Sequence, residues 1–199
     1  MSSLYKPRIK VDLDNVLNDM AWTMVSMYNT DSNTILDYNR CDTYDFSCYG
    51  EIFQRWAWDV WENRATELYD QMRPPENAIK GLKKLCDDYD VVIATASFPW
   101  CFNLACQFID KYYPWFPQNR IIKCNDKRWI TTEYAIDDLP RNLVPDVVAT
   151  RILVDQPWNR DFDDAWHDTF RVLDLVEAYD FIADFENHSD IDGGEDFDE

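Results

Sequence analysis

The sequence predicts an α/β fold: a parallel sheet with helices on both faces and a small helical insertion after the first strand. Three observations lead there. Short β-branched or apolar runs, such as Val91-Val92-Ile93 and Ile152-Leu153-Val154, recur along the chain and suit strands buried on both faces. Stretches of helical periodicity separate them, as in parallel sheets built from strand-helix-strand units. Between the first and second of these runs lies a segment crowded with aromatic residues that carries no strand-like run of its own.

Arg8 to Asp12 reads as the first strand. Asn15 to about Asn29 reads as a helix, with Val16, Met20, Met24 and Met27 at helical spacing. The aromatic segment, from about Thr30 to Tyr69, contains Tyr38, Tyr44, Phe46, Tyr49, Phe53, Trp56, Trp58 and Trp61 and predicts a small helical cap. Pro74 and Pro75 punctuate the chain before a helix predicted over Glu76 to Asp88, which gathers Ala78, Ile79, Leu82 and Leu85 on one face. A strand follows from Asp90 to Ala96, then a helix from Trp100 to Tyr113. Three more strands are expected at Ile121-Ile122, Tyr134 to Asp138 and Arg151 to Val154. The resulting division is a core of residues 1–16 and 75–185, a helical cap of residues 17–74 and an acidic tail of residues 186–199. The tail's like charges and its two glycines predict a frayed, solvated end, with an interaction tail as the functional alternative.

Composition narrows the function. With 199 residues, 46% of them hydrophobic, and 9 Trp, 11 Tyr and 11 Phe, the chain can bury a substantial core. A net charge of −19 argues against a broad nucleic-acid surface, which depends on clustered Lys and Arg. No apolar run approaches the roughly 20 residues that span a bilayer, and the first residues lack the apolar core of an export signal, so the cytoplasm is the expected location. The six cysteines form no C-x-x-C pair and are read as reduced thiols.

The most informative motif is Asp12-Leu13-Asp14-Asn15-Val16. Side chains two apart on a strand point to one face, so Asp12 and Asp14 at a strand's carboxyl end can converge on one ligand. In parallel sheets, ligands gather outside those carboxyl ends. Asp12, Thr95 and Asp138 all fall there. The alternative reading, acids in an ordinary solvated loop, loses weight because Thr95, Lys127 and the Asp137-Asp138 pair follow in order. Each has a chemical role to fill. A carboxylate such as Asp12 can attack phosphorus and split hydrolysis into two steps, with Asp14 as acid and base. Mg²⁺ takes oxygen ligands, for which Asp12, Asp14 and an acid of the Asp137-Asp138 pair form a partial shell. Lys127 and the Thr95 hydroxyl would bind phosphoryl oxygens.

In this arrangement the chain resembles the haloacid dehalogenase-like (HAD) superfamily, and specifically its 5′(3′)-deoxyribonucleotidases. The resemblance covers about four-fifths of the chain and rests on Asp-Leu-Asp-Asn-Val, Val-Val-Ile-Ala-Thr, Asn125-Asp126-Lys127, Ile136-Asp137-Asp138 and Pro157-Trp158-Asn159. It implies a Rossmann-like core with a small cap. It also implies Asp12 as nucleophile, Asp14 as proton donor, and Mg²⁺ held by Asp12, the Asp14 carbonyl and Asp138, with Asp137 orienting or sharing that shell. Thr95 and Lys127 carry over as phosphate contacts. Asn15 stands where glycine is commoner, which is tolerable because Asn adopts left-handed backbone angles. Ala96 stands where some relatives carry a hydroxyl, leaving that contact to Ser97 or unfilled. Met20, Phe46 and Trp61 are candidate walls for a nucleobase, weighed equally against a place in the cap's own core; for Trp56 and Trp58 the core reading is favoured.

The expected activity is magnesium-dependent hydrolysis of deoxyribonucleoside monophosphates through an aspartyl-phosphate, with a small nucleotide as partner. No nucleic acid polymer or membrane is expected as a partner, and a homodimer is a family-level expectation only. The alternatives are a phosphatase of the same fold for another small phosphate ester, and a non-catalytic acidic binding protein of that fold.

Overall fold

A computed structural model describes residues 5–145, 148–164 and 169–192. Its centre is a six-stranded parallel sheet. The strands are β1 (Arg8–Val11), β2 (Asp90–Thr95), β3 (Ile121–Lys123), β4 (Thr132–Asp137), β5 (Val148–Val154) and β6 (Thr169–Val172), in the spatial order β3-β2-β1-β4-β5-β6. The chain builds outward from β1 to β3 on one side, then crosses to β4 on the other. The crevice at that reversal, outside the carboxyl ends of β1 and β4, is where ligands bind in open sheets of this kind.

The helices are α1 (Met20–Ser32), α2 (Gly50–Asn63), α3 (Ala65–Gln71), α4 (Ala78–Asp88), α5 (Phe102–Tyr112) and α6 (Leu175–Asp192). The five expected strands are present, with ends that match or shift by at most three residues. β6 and α6 were not read from the sequence. β6 has only four residues, Thr-Phe-Arg-Val, too few for its period to stand out. α6 does carry a signal: Leu175, Ala178 and Ile182 are all buried, at spacings of three and four.

Two expectations need correction. The helix expected from Asn15 begins only at Met20, because Asn15 takes a left-handed φ of 62° and Asn18 holds a turn, its Oδ1 accepting from the N–H groups of Asn15 and Met20. Val16 and Leu17 are buried in that turn, so their apolar character mimicked a helical face. The end expected to fray from Glu186 is helical through Asp192. Glu186 is tied to the core by the hydroxyls of Tyr89 and Tyr134, at 3.1 and 3.0 Å. Residues 193–199 of the tail lie outside the described residues.

The segment between β1 and α4 is helical as expected. Phe53, Ala57 and Val60 form the buried stripe of α2, and Phe53 sits at the centre of an aromatic cluster with Tyr28, Phe46, Tyr49 and Trp56. Trp56 belongs to that core, as read from the sequence. Trp58 does not: it is half exposed and faces a cavity. All six cysteines are free thiols.

Candidate active site

Strand ends position the acids. Asp12 follows β1 directly and stays in register, its N–H donating to the Ile136 carbonyl at 2.9 Å, while Asp137 closes β4 and Asp138 follows it. Asp12, Asp137 and Asp138 are buried, and one carboxylate oxygen from each lies within 4.8 Å of the others. Lys127 reaches into this group from a 3-10 turn at Lys127–Trp129 and lies 2.7 Å from both Asp12 Oδ1 and Asp137 Oδ2.

Several supports hold this arrangement. Lys10, buried in β1, donates to the carbonyls of Lys127 and Ile130 at 3.0 and 3.1 Å and so anchors the turn that carries Lys127. Asn18 donates to Asp14 Oδ1 at 2.9 Å. Asn15 donates to Asp138 Oδ2 at 3.2 Å, while its own Oδ1 accepts from Ala21 N–H at the start of α1. Asn159, almost fully buried, donates to the carbonyls of Asp138 and Val154 at 2.9 and 2.8 Å. The Pro157-Trp158-Asn159 signature therefore works through the Asp138 backbone. Gln156 donates to the Asn15 carbonyl and accepts from Tyr38, linking the insertion to the core. Lys10, Asn18 and Gln156 were missed in the sequence. A lysine between the apolar Ile9 and Val11 of β1 was the available signal for the first.

The electrostatics follow from burial. Desolvation, reinforced by the Asp137 charge, pushes the Asp12 carboxyl up to about 8 against the pull of Lys127. Burial and the Asp12 charge raise Asp138 well above the usual carboxylate range, and burial also raises Asp14. Burial alone would depress the Lys127 ammonium, but Asp12 and Asp137 outweigh it and hold it above its ordinary value. Three crowded acids against one ammonium make a donor set suited to a hard divalent cation, which would relieve their repulsion. The two oxygens of Asp137 are already engaged: Oδ2 by Lys127, and Oδ1 by Leu139 N–H and the Asn142 amide. Asp138 Oδ1 and Asp12 Oδ2 carry no such bonds among the described residues, so they are the oxygens best placed to serve as ligands.

Two cavities of about 390 Å³ each adjoin the acids and share Asp14, Tyr44 and Ala96. One is polar and contains Asp12, Asp138, Lys127, Arg128 and Arg141. The other is walled by aromatic and apolar side chains, among them Met20, Phe46, Trp58, Trp61 and Phe98. Met20, Phe46 and Trp61 are thus brought to one cavity. Trp58 and Phe98 join them, Trp58 set edge-on to the Phe98 ring. Thr95 is fully buried at the end of β2 and lines neither cavity. Its hydroxyl lies 2.7 Å from that of Ser97, which lines the apolar one.

The parallel sheet, the acids at its switch point and the capping helices are those of the haloacid dehalogenase-like fold, and the relatives of the chain make it a phosphomonoesterase. The chain belongs to the family described as 5′ nucleotidase, deoxy (Pyrimidine), cytosolic type C protein, whose model matches residues 6–186. Among curated relatives, it is 25% identical to a 5′(3′)-deoxyribonucleotidase of Bacillus subtilis (strain 168) over 157 residues, 78% of this chain and 88% of the relative. It is 29% identical to a putative 5′(3′)-deoxyribonucleotidase of Staphylococcus aureus (strain Mu50) over 82 residues, 40% of this chain and 46% of that one. Among solved structures, a haloacid dehalogenase-like hydrolase from Streptococcus pneumoniae superimposes with a TM-score of 0.64 at 11% identity, covering 89% of this chain and 98% of its own. A HAD phosphatase from Thermococcus onnurineus gives a TM-score of 0.53 at 14% identity, covering 88% and 97%. These two likenesses concern the fold.

Proposed function

We propose that the protein hydrolyses deoxyribonucleoside monophosphates through an aspartyl-phosphate formed on Asp12, with Mg²⁺ as cofactor. The observation that carries this reading is the pair of adjoining cavities: a polar one at the acids, with room for a phosphate, beside an aromatic one suited to a nucleobase. A sugar phosphate would leave the aromatic walls unused.

In this reading Asp12 attacks phosphorus, forming an O–P bond as the ester O–P bond breaks. Asp14, raised by burial toward its protonated form, gives its proton to the departing alkoxide and then takes one from the water that attacks the aspartyl-phosphate. Asn18 orients Asp14 for both transfers. Lys127 offsets charge on the phosphoryl oxygens, and Asp137, holding Lys127 from the far side, serves to position it. Thr95, buried at the end of β2, is linked to Ser97 by their hydroxyls and so acts by positioning Ser97 beside the acids rather than by touching the phosphate itself. Asp12, Asp138 and the Asp14 carbonyl would hold Mg²⁺, which supplies Lewis-acid polarisation of the phosphoryl group.

The family relationship and the cap's aromatic wall favour nucleotides over other esters. Phosphate release from deoxy- and ribonucleoside monophosphates, measured beside release from hexose and pentose phosphates, tests this. Deoxynucleotides should give the highest kcat/KM. Equal or better turnover of sugar phosphates would transfer the assignment to another phosphate ester.

A further inference from the structure

The polar cavity contains three cations, and two of them are already committed. Lys127 lies between Asp12 and Asp137 at 2.7 Å from each. Arg128 makes a two-pronged pair with Asp126, its Nε and Nη2 donating at 2.8 and 2.7 Å. Arg141 makes no ion pair among the described residues; its guanidinium instead lies over the Tyr44 ring, 5.2 Å from the centroid. In a chain of net charge −19, a cation facing an acid-lined cavity without a carboxylate partner is notable.

The backbone explains how Arg141 is presented. It lies in a 3-10 turn, Pro140–Asn142, immediately after Asp138, and the neighbouring Asn142 amide is fixed by Asp137 Oδ1 at 2.9 Å. The same acid therefore positions Lys127 on one side and the Arg141 turn on the other. Tyr44, which Arg141 covers, borders both the polar and the aromatic cavities. Arg141, which lines the polar cavity, therefore packs on a ring that both cavities share.

A phosphate monoester is a dianion near neutral pH. Lys127 supplies a single charge and is shared with the Asp12 and Asp137 carboxyl groups, so it leaves the dianion only partly neutralised. A guanidinium offers paired N–H donors that match phosphate oxygens, and stacking on an aromatic ring limits the entropy lost on binding. We propose that Arg141, held against Tyr44, is the substrate-binding cation that clamps the phosphate dianion at the junction of the two cavities. The proposal deepens the functional reading above by naming a residue that selects for the phosphate group.

The test is the affinity of the full chain for inorganic phosphate, measured by calorimetry with Mg²⁺ present, for the wild type and for Arg141→Gln, Arg141→Lys and Arg128→Gln. Loss of a charge-assisted donor pair should weaken phosphate binding by about 10- to 100-fold in Arg141→Gln. Arg141→Lys should fall between, because the charge remains while the planar fork is lost. Arg128→Gln should change binding less than about threefold, its charge being already spent on Asp126. The KM for a deoxynucleotide should rise in Arg141→Gln in parallel with the phosphate dissociation constant, with kcat nearly unchanged, which a purely structural role would not produce. Unchanged phosphate affinity in a folded Arg141→Gln protein would overturn the proposal, as would an equal loss in Arg128→Gln or a wild type that binds no phosphate. If phosphate binding depends on Arg141 but no nucleotide is hydrolysed, the clamp stands and the nucleotidase reading falls.

Discussion

Replacing Asp12 with asparagine should abolish activity and, in metal-free protein, change how stability depends on pH. Asparagine has the shape of a protonated aspartate and does not ionise. In the folded chain, burial and the Asp137 charge raise the Asp12 carboxyl from 3.8 to about 8. A raised carboxyl binds its proton more tightly in the folded state than in the unfolded one. The stability it confers is therefore complete below the unfolded value and is lost as pH rises toward the folded one. Each pH unit of that window is worth at most about 1.4 kcal/mol, so the wild type should lose several kcal/mol between pH 4 and 8 that Asp12→Asn does not lose. Asp138 is raised partly by the Asp12 charge, so its own loss of stability with rising pH also lessens in the variant and adds to the difference in the same direction. The assay is urea unfolding in chelator at half-unit steps from pH 4.5 to 8.5. The stability difference, variant minus wild type, should climb with pH and level off near pH 8. Parallel stability curves would refute the reasoning, because they would mean that Asp12 ionises as freely when folded as when unfolded.

Three further outcomes follow from the geometry. In Gly81→Ala, the new Cβ would lie 2.4 Å from Leu175 Cβ and 2.5 and 2.7 Å from the Leu175 carbonyl carbon and oxygen. Forcing α4 from α6 should cost about 3 kcal/mol, offset by about 1 from helix propensity, so thermal unfolding should drop by about 4–8 °C. Asn159→Ala strips donors from the buried carbonyls of Asp138 and Val154 and should destabilise the protein by about 2–4 kcal/mol in urea. It should also weaken Mg²⁺ affinity by roughly 10-fold or more in a calorimetric titration, since Asp138 loses its backbone anchor. Trp61→Ala should raise the KM for deoxynucleotides by about 10-fold in steady-state assays while leaving turnover of a sugar phosphate unaltered, if the aromatic cavity holds a base.

The nucleus of the site was legible because its chemistry lies in short runs at strand ends. Asp12, Lys127, Asp137 and Asp138 needed only the order of the strands to be brought together, and the structure places them in one buried group. Asn15 was read for its backbone angle, and its φ of 62° agrees; that its side chain also holds Asp138 depends on a contact spanning the chain. Lys10, Asn18, Gln156 and Arg141 escaped for the same reason, since each acts on a partner that tertiary folding supplies. The cap was harder to read. Trp56 and Trp58 stand two apart on α2 and so face different sides, one packing on Tyr28 and Phe53 and the other facing a cavity. Which side is the core depends on where α2 rests, and aromatic content alone does not say.

The central claim is that Asp12 carries phosphoryl transfer from a deoxynucleotide. Its most direct test is phosphate release from deoxynucleoside monophosphates by the wild type and by Asp12→Asn, each with Mg²⁺ and with excess chelator. The account expects release by the wild type with Mg²⁺ and background rates in the other three reactions. Undiminished release by a folded Asp12→Asn protein, or release by the wild type that persists in chelator, would contradict it.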